Sequence, residues 1–157
     1  MAKKICVIGA SSFIGRQVFQ TLRHTSACGG MEVLGTYFSS AMLECDYLDI
    51  TDAKAVRSYL ATNEPNEVVL VAGIKDVRAC EADESLAMML NLDPVETMCN
   101  AIVESDMSTR LLYISSNYVF DAKQGNYCVD SPVNPTTAYG RSKVLAEDRV
   151  LRGDIFG

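Results

Sequence analysis

Short apolar runs alternate along the chain with longer stretches in which apolar residues recur at helical spacing. A run of consecutive apolar residues is typical of a strand buried on both faces of a sheet. Strands separated by helical crossovers form a parallel sheet with helices on both sides. The pattern therefore predicts one doubly wound α/β domain over 1–157, with helices, sheet and helices as its three layers. The predicted strands are KICVI (4–8), MEVLGTY (31–37), part of ECDYLDITD (44–52), EVVLVAG (67–73) and RLLYISS (110–116).

The first two predicted helices have clear boundary signals. Apolar residues at helical spacing follow the first strand, and this helix is expected to end before Cys28. Thr51 is the expected N-cap of the second helix, because a threonine hydroxyl accepts hydrogen bonds from the free N–H groups of a first turn.

Proline and acidic residues mark the later helices. The stretch 83–106 is expected to be helical and to be divided at Pro94, with Asp93 as the cap of its second half. The last helix is expected to begin near Tyr139, and LRGDIFG (151–157) is expected to form a strand after it.

Composition narrows the class of protein. Apolar residues make up 48% of the 157 residues and charged residues 22%, as in ordinary globular domains. The net charge is −6, so the concentrated basic surface that nucleic acids require is not expected. No apolar run approaches the length of a membrane span, so no membrane partner is expected. Six cysteines without a Cys-x-x-Cys pair and a single histidine predict reduced thiols, a cytoplasmic location and no metal site.

The sequence GASSFIG (9–15) joins the first strand to the first helix. A tight turn there directs backbone N–H groups at an anion such as a pyrophosphate, and the helix dipole favours its negative charge. Gly9 permits the turn and Gly15 lets helix and strand approach closely. Ser12 stands where a middle glycine would ease access to phosphate, although its hydroxyl can donate a hydrogen bond. The alternative is a tight turn without a ligand.

The end of the second strand bears on the choice of cofactor. NAD-selective proteins usually place a carboxylate there for the ribose 2′-hydroxyl. No acidic residue occurs between Val33 and Met42, whereas Ser39 and Ser40 can donate to a 2′-phosphate and Arg16 can face it. We therefore favour NADP(H) over NAD(H). The alternative is that these serines only form a polar loop.

NPTTAYGRSK (134–143) places Tyr139 four residues before Lys143, on one face of a helix. Ser116 ends the preceding strand, at the sheet edge where α/β proteins bind their ligands. Carbonyl reduction needs a proton donor, and a tyrosine serves if its pKa falls well below the ordinary value of about 10. We predict that Tyr139 donates the proton, that Lys143 lowers its pKa and that Ser116 holds the carbonyl oxygen. The alternative is a solvated polar face.

These motifs together resemble the extended short-chain dehydrogenase/reductases, and among them the dTDP-4-dehydrorhamnose reductase-like branch. The matching pieces are GASSFIG, DITD (49–52), VVLVAG (68–73), NLDP (91–94), ISSNYVFD (114–121) and NPTTAYGRSK. The resemblance implies a Rossmann-type NAD(P)-binding domain with Ser116, Tyr139 and Lys143 as catalytic residues. It also implies cofactor contacts from Gly9, Ser11, Ser12, Phe13, Ile14, Gly15, Arg16, Asp49, Ile50, Ala72, Gly73 and Ile74, in addition to Ser39, Ser40, Tyr139 and Lys143.

The chain departs from that branch at two points. Asn117 stands where the branch commonly has an acid, and members of the branch continue for another hundred or more residues that supply most of the substrate pocket. We therefore expect a C-terminal substrate-binding portion to be missing.

The sequence predicts an NADPH-dependent reductase of a keto group on a nucleotide-activated sugar. Its expected partners are that sugar or another small carbonyl compound, with a homodimer as an option. Two alternatives stay open. One is an NAD-dependent nucleotide-sugar epimerase or dehydratase, and the other is a non-catalytic NADP-binding subunit like the regulatory subunit of methionine adenosyltransferase.

Overall fold

One parallel sheet organises the computed structural model, which describes residues 2–26 and 29–152. Its strands lie in the order β3-β2-β1-β4-β5, and every neighbouring pair is parallel. The chain builds outward from β1 to β3 and then returns to place β4 on the other side of β1. Strand order therefore reverses between β1 and β4, as doubly wound folds require. The strands are β1 (Lys4–Ile8), β2 (Glu32–Tyr37), β3 (Asp46–Tyr47), β4 (Glu67–Leu70) and β5 (Arg110–Tyr113).

Helices connect the strands and cover both faces of the sheet. Cys6, Ile8 and Leu70 point to the face covered by α2, α5 and α6, whereas Val7 and Val69 point to the α1 face, with Phe19. This alternation follows from the two-residue period of a strand, and it confirms the predicted three-layer α/β fold. The helices are α1 (Phe13–Ser26), α2 (Ala53–Asn63), α3 (Val77–Ala82), α4 (Glu84–Asn91), α5 (Asp93–Glu104) and α6 (Ala138–Arg152).

Two strands end earlier than predicted. The run EVVLVAG forms a strand only as far as Leu70, because the N–H groups of Val71 and Ala72 both donate to the single carbonyl of Ile8, at 2.9 and 3.1 Å. RLLYISS likewise forms a strand only as far as Tyr113. The residues that leave the ladder, 71–74 and 114–116, begin the loops at the carboxyl edge of the sheet.

Two predicted helix caps were wrong. Asp52 rather than Thr51 caps α2, since its carboxylate accepts from the N–H groups of Lys54 and Ala55 at 2.9 and 3.0 Å. The Thr51 hydroxyl instead donates to Asp49 at 2.7 Å. The cap of α5 is Leu92 rather than Asp93, because α4 and α5 are almost continuous and Asp93 already lies in the first turn.

Two further boundaries differ from the sequence prediction. Helix α3 was not predicted; Asp76 caps it by accepting from the Ala79 N–H at 3.1 Å. The predicted final strand was wrong at Leu151 and Arg152, which belong to α6, and its remainder, 153–157, lies outside the described residues. The first helix ends at Ser26, before Cys28 as predicted, although Cys28 itself lies outside the described ranges.

The described ranges contain no helix with the length and apolar character needed to cross a membrane. Nor do three or more His, Cys, Asp or Glu side chains gather there as potential metal ligands.

Candidate functional site

A cavity of about 500 Å³ opens at the carboxyl ends of β1, β2 and β4. This is where strand order reverses, the position at which open α/β sheets bind ligands. Its volume lies in the range of small-molecule and cofactor sites. The lining residues are Gly9, Ser11, Ser12, Thr36, Tyr37, Phe38, Ser39, Ser40, Leu48, Asp49, Ile50, Thr51, Ala72, Gly73, Ile74 and Leu90.

The glycine turn forms one wall of the cavity through close backbone contacts. Gly9 has φ +91°, and a Cβ there would lie 2.8 Å from the Ala72 nitrogen. A Cβ at Gly15 would collide with the Gly9 carbonyl oxygen. Both positions therefore require glycine, as the sequence indicated. The Gly9 N–H donates to the buried Thr36 hydroxyl at 3.1 Å, so a residue of β2 that the sequence analysis missed fixes the turn.

Ser12 serves as the N-cap of α1. Its hydroxyl oxygen accepts from the Gly15 N–H at 3.1 Å, and the hydroxyl hydrogen stays free to donate. The next four predicted cofactor residues, Phe13, Ile14, Gly15 and Arg16, do not line the cavity. Phe13 and Ile14 are 83% and 51% exposed, because they occupy the outer side of the first helical turn.

One edge of the cavity follows β2, where the sequence predicts that a cofactor ribose would bind. Ser39 and Ser40 line it and are exposed, as expected, whereas Arg16 is exposed but is not among the lining residues. Among the described lining residues, Asp49 is the one carboxylate. It accepts from the backbone N–H and the hydroxyl of Thr51, at 2.9 and 2.7 Å, which fixes its side chain after β3.

Helix α6 presents Tyr139 and Lys143 to the carboxyl end of β5. The ring of Tyr139 packs edge-to-face on Tyr118, which follows Ser116 in a 3-10 turn at Asn117–Val119, with centroids 5.5 Å apart. The Lys143 ammonium donates to the Ile114 carbonyl at 2.7 Å. Ser116 caps the 3-10 turn by accepting from the Tyr118 N–H at 3.3 Å. The three predicted catalytic residues thus belong to adjoining elements at one sheet edge, beside the cavity rather than in its lining.

The environment of Lys143 is unusual for a lysine. It is 8% exposed, and its ammonium lies 4.1 Å from the centroid of the Tyr113 ring. Burial lowers the pKa of Lys143 to about 8, a fall opposed by the negative charge of Glu147. Burial also raises the pKa of Tyr113, so this phenol stays neutral. Tyr113 was missed because a strand tyrosine gives no local sign of its partner.

A buried hydrogen-bond chain joins α6 to the loop after β4. Asn91, at 3% exposure, accepts from the Ile74 N–H at 3.0 Å and donates to the Ser142 hydroxyl at 3.0 Å. Ser142 in turn donates to the Tyr139 carbonyl at 2.7 Å. This series of hydrogen bonds fixes the distance between a cavity wall and the helix that carries Tyr139. The sequence signal was a polar residue, Asn91, at the end of an apolar helix.

Helix α3 and helix α4 also hold the start of α6. Glu81 accepts from the backbone N–H of Ala138, and Glu84 pairs with Arg141 at 2.9 Å. Thr137 caps the same helix locally, accepting from the Gly140 N–H at 3.0 Å. Since α6 has no acidic residue in its first turn, Glu81 supplies from α3 the negative charge that a helix N-terminus favours.

The long loop before α6 is organised by Asp121. Its carboxylate accepts from the Tyr127 hydroxyl at 2.6 Å and from the Asn134 amide at 3.0 Å. These hydrogen bonds, with one from the Lys123 backbone, lower the pKa of Asp121 to about 2. The loop is therefore tied to the residues that follow the 3-10 turn.

Known proteins resemble this chain over nearly its whole length. Methionine adenosyltransferase 2 subunit beta of Xenopus tropicalis is 28% identical over 152 residues, which are 97% of this chain and 44% of the relative. The dTDP-4-dehydrorhamnose reductase of Streptomyces griseus is 34% identical over 146 residues, 92% of this chain and 44% of the relative. The chain thus spans less than half the length of these relatives.

A solved structure has the same fold. The hypothetical dTDP-4-dehydrorhamnose reductase from Sulfolobus tokodaii is 28% identical and superposes with a TM-score of 0.83, covering 93% of this chain and 51% of that one. The family model described as RmlD substrate binding domain matches residues 3–154. By fold, by the glycine turn and by this match, the chain belongs to the RmlD substrate binding domain family.

Proposed function

We propose that this chain is the dinucleotide-binding part of an NADPH-dependent reductase that acts on a keto group of a nucleotide-activated sugar. The observation that carries the proposal is the placement of Tyr139 and Lys143 together at the carboxyl end of β5, beside the cavity. The resemblance to dTDP-4-dehydrorhamnose reductases supports the substrate class.

The cavity residues suit a dinucleotide. Gly9 lets the turn lie against the backbone of Ala72, and Ser12 accepts from the Gly15 N–H, so within the described residues its hydroxyl hydrogen can still donate to a pyrophosphate at the N-terminus of α1. Ile74, which also lines the cavity, is tied through Asn91 to the helix of Tyr139. If a dinucleotide binds in this cavity, Gly9 and Ser12 would hold its pyrophosphate, and Ala72, Gly73 and Ile74 would contact its nicotinamide half.

The proposed chemistry divides a carbonyl reduction among the residues of this edge. When bound, NADPH supplies the hydride that adds to the carbonyl carbon. Tyr139 gives its phenolic proton to the carbonyl oxygen, which completes the alcohol. The ammonium of Lys143 stabilises the phenolate that Tyr139 becomes, and the Ser116 hydroxyl donates a hydrogen bond to the same oxygen.

Substitution of the proton donor tests this function. In protein that contains this chain together with its substrate-binding portion, we expect Tyr139→Phe to lower kcat for ketosugar reduction by about 10²–10⁴-fold, the usual worth of general acid catalysis. NADPH affinity should stay within a few-fold. Tyr118→Phe is the matched control, because it keeps the ring that packs on Tyr139 and should retain activity. Reduction by Tyr139→Phe at the parent rate would exclude proton transfer by this residue.

The NADP preference belongs to the same proposal, and the absence of a carboxylate at Ser39 and Ser40 supports it. We expect Ser39→Asp to weaken NADPH binding by roughly tenfold through repulsion of the 2′-phosphate, and to affect NADH much less. Ser39→Asn is the neutral control, and nicotinamide fluorescence measures both affinities. Equal losses for the two cofactors would contradict the preference. Tightly held NAD that co-purifies would instead favour the epimerase or dehydratase alternative.

A non-catalytic regulatory subunit is the second candidate. It is favoured by the likeness to methionine adenosyltransferase 2 subunit beta. This candidate predicts one stoichiometric protein partner in a pull-down and no turnover of any ketosugar.

A further inference from the structure

The ammonium of Lys143 is buried with few partners. Of its three N–H donors, one is taken by the Ile114 carbonyl, 2.7 Å away. The ring of Tyr113 faces the ammonium, with its centroid 4.1 Å from Nζ. A cation this close to an aromatic face is attracted by the ring quadrupole, most strongly when both are removed from water. The ring is therefore a principal partner of this charge.

The hydroxyl of Tyr113 takes no part in the contact between its ring and the Lys143 ammonium. It is buried, and it finds no hydrogen-bond partner within the described part of the chain. A buried hydroxyl without a partner costs free energy, whereas the ring makes the contact with Lys143. The face of the ring, rather than the hydroxyl, is therefore the part of Tyr113 that stabilises the Lys143 ammonium.

We propose that Tyr113 is a positioning residue whose ring holds the charged ammonium of Lys143 at the carboxyl end of β5. The Ile114 carbonyl and the ring together hold Nζ on the strand side, and its other two donors make no hydrogen bond within the described part of the chain. The consequence for proton transfer by Tyr139 rests on the proposed function. The contact by which the Tyr113 ring positions Lys143 does not depend on that function.

The other titratable groups around this position come from three elements. Tyr139 and Glu147 lie on α6 with Lys143, Tyr113 lies on β5, and Tyr118 in the 3-10 turn reaches the cluster through Tyr139. Of these, Glu147 favours the charged lysine electrostatically. Any test must therefore change the ring of Tyr113 without changing Glu147.

Ring fluorination makes that change, because it weakens the quadrupole and nearly keeps the shape. Phenylalanine and its mono-, di- and trifluoro derivatives replace Tyr113, and NMR of [¹³Cε]lysine follows the titration of Lys143, assigned with a Lys143→Arg variant. The phenylalanine variant should titrate close to the parent chain. The titration midpoint should then fall stepwise with fluorination, by about one pH unit in all. A Lys143 titration midpoint that does not change with fluorination would overturn the proposal.

Phe120 offers a matched control, since its ring stacks on Tyr127 at 4.4 Å in the loop after the 3-10 turn. The same fluorinated residues there should leave the Lys143 midpoint unchanged, and an equal fall would also overturn the proposal. The readout needs neither cofactor nor turnover. If Tyr139→Phe stays active while fluorination shifts Lys143, the proposed function fails and the role of Tyr113 stands.

Discussion

At the scale of single residues, Lys143 is a buried charge in the described site. Its ammonium is 8% exposed and depends on the Ile114 carbonyl, the Tyr113 ring and the charge of Glu147. Burial lowers the pKa to about 8, so the side chain is charged at neutral pH and neutral above that value. The ammonium that the proposed mechanism needs is thus present at pH 7, although it destabilises the fold.

This cost predicts a pH dependence of stability. Below pH 8 Lys143 is charged in both the folded and the unfolded chain, and the folded state bears the full cost of burial. Between about 8 and about 10.4 the folded chain binds fewer protons than the unfolded one, so stability rises with pH. We expect the free energy of unfolding, relative to Lys143→Met, to rise by up to about 3 kcal/mol across that window. Urea unfolding at a series of pH values measures it, and a constant difference would contradict it.

At the scale of elements, α6 is held by contacts from four directions. Glu81 caps its first turn from α3, Asn91 reaches Ser142 from the end of α4, and Lys143 bonds to the chain just after β5. On the fourth side Tyr118 of the 3-10 turn packs on Tyr139. These contacts set the rotation and height of the helix, and so the direction in which Tyr139 and Lys143 point.

Glu81 of α3 caps the first turn of α6, and this contact leads to a prediction about the stability of the protein. Glu81→Ala removes the acceptor for the Ala138 N–H, and we expect a loss of about 1 kcal/mol in unfolding free energy, as for other helix caps. Glu84→Ala is the control, because it removes an exposed pair with Arg141 and an exposed charge in the first turn of α4, but no helix cap, and should cost less. Denaturant unfolding compares the two, and equal small losses would show that the cap contributes little. Glu81→Gln should recover part of the loss, since its amide oxygen still accepts.

At the scale of the whole molecule, the order of the strands creates the site. Reversal between β1 and β4 leaves a crevice at their carboxyl ends, and the loops after β1, β2, β3 and β4 line it. The relatives that this chain matches are about twice its length. Under the proposed function, this crevice would hold the cofactor, and the additional length of such relatives would supply much of the substrate side.

This division predicts separable activities. The 157-residue chain should bind NADPH but show little or no steady-state reduction of a nucleotide ketosugar. Nicotinamide fluorescence tests binding, and loss of absorbance at about 340 nm, where reduced nicotinamide absorbs, tests turnover. Gly9→Ala should abolish binding, because its Cβ would meet Ala72 and φ +91° disfavours alanine. Turnover at ordinary enzyme rates by this chain would show that it carries a complete substrate site.

The sequence by itself determined the α/β class, the positions of the main strands and the family likeness. Apolar runs and helical spacing are local properties of a sequence. The residues that make GASSFIG and NPTTAYGRSK recognisable likewise lie within one short segment each. The family match over 3–154 confirms the resemblance to the dTDP-4-dehydrorhamnose reductase-like branch. The need for glycine at Gly9 and Gly15 was likewise visible, because a turn between strand and helix requires it locally.

Tertiary structure decided which residues support that site. Thr36 fixes the Gly9 turn, Asn91 ties the cavity wall to α6, and Tyr113 faces Lys143, yet each partner lies far away along the chain. The exclusion of Arg16 from the cavity and the choice of Asp52 over Thr51 as a cap also depend on where neighbouring groups fall in space. A local pattern fixes what a side chain is able to do, whereas its partner is set by packing between elements that the sequence keeps apart.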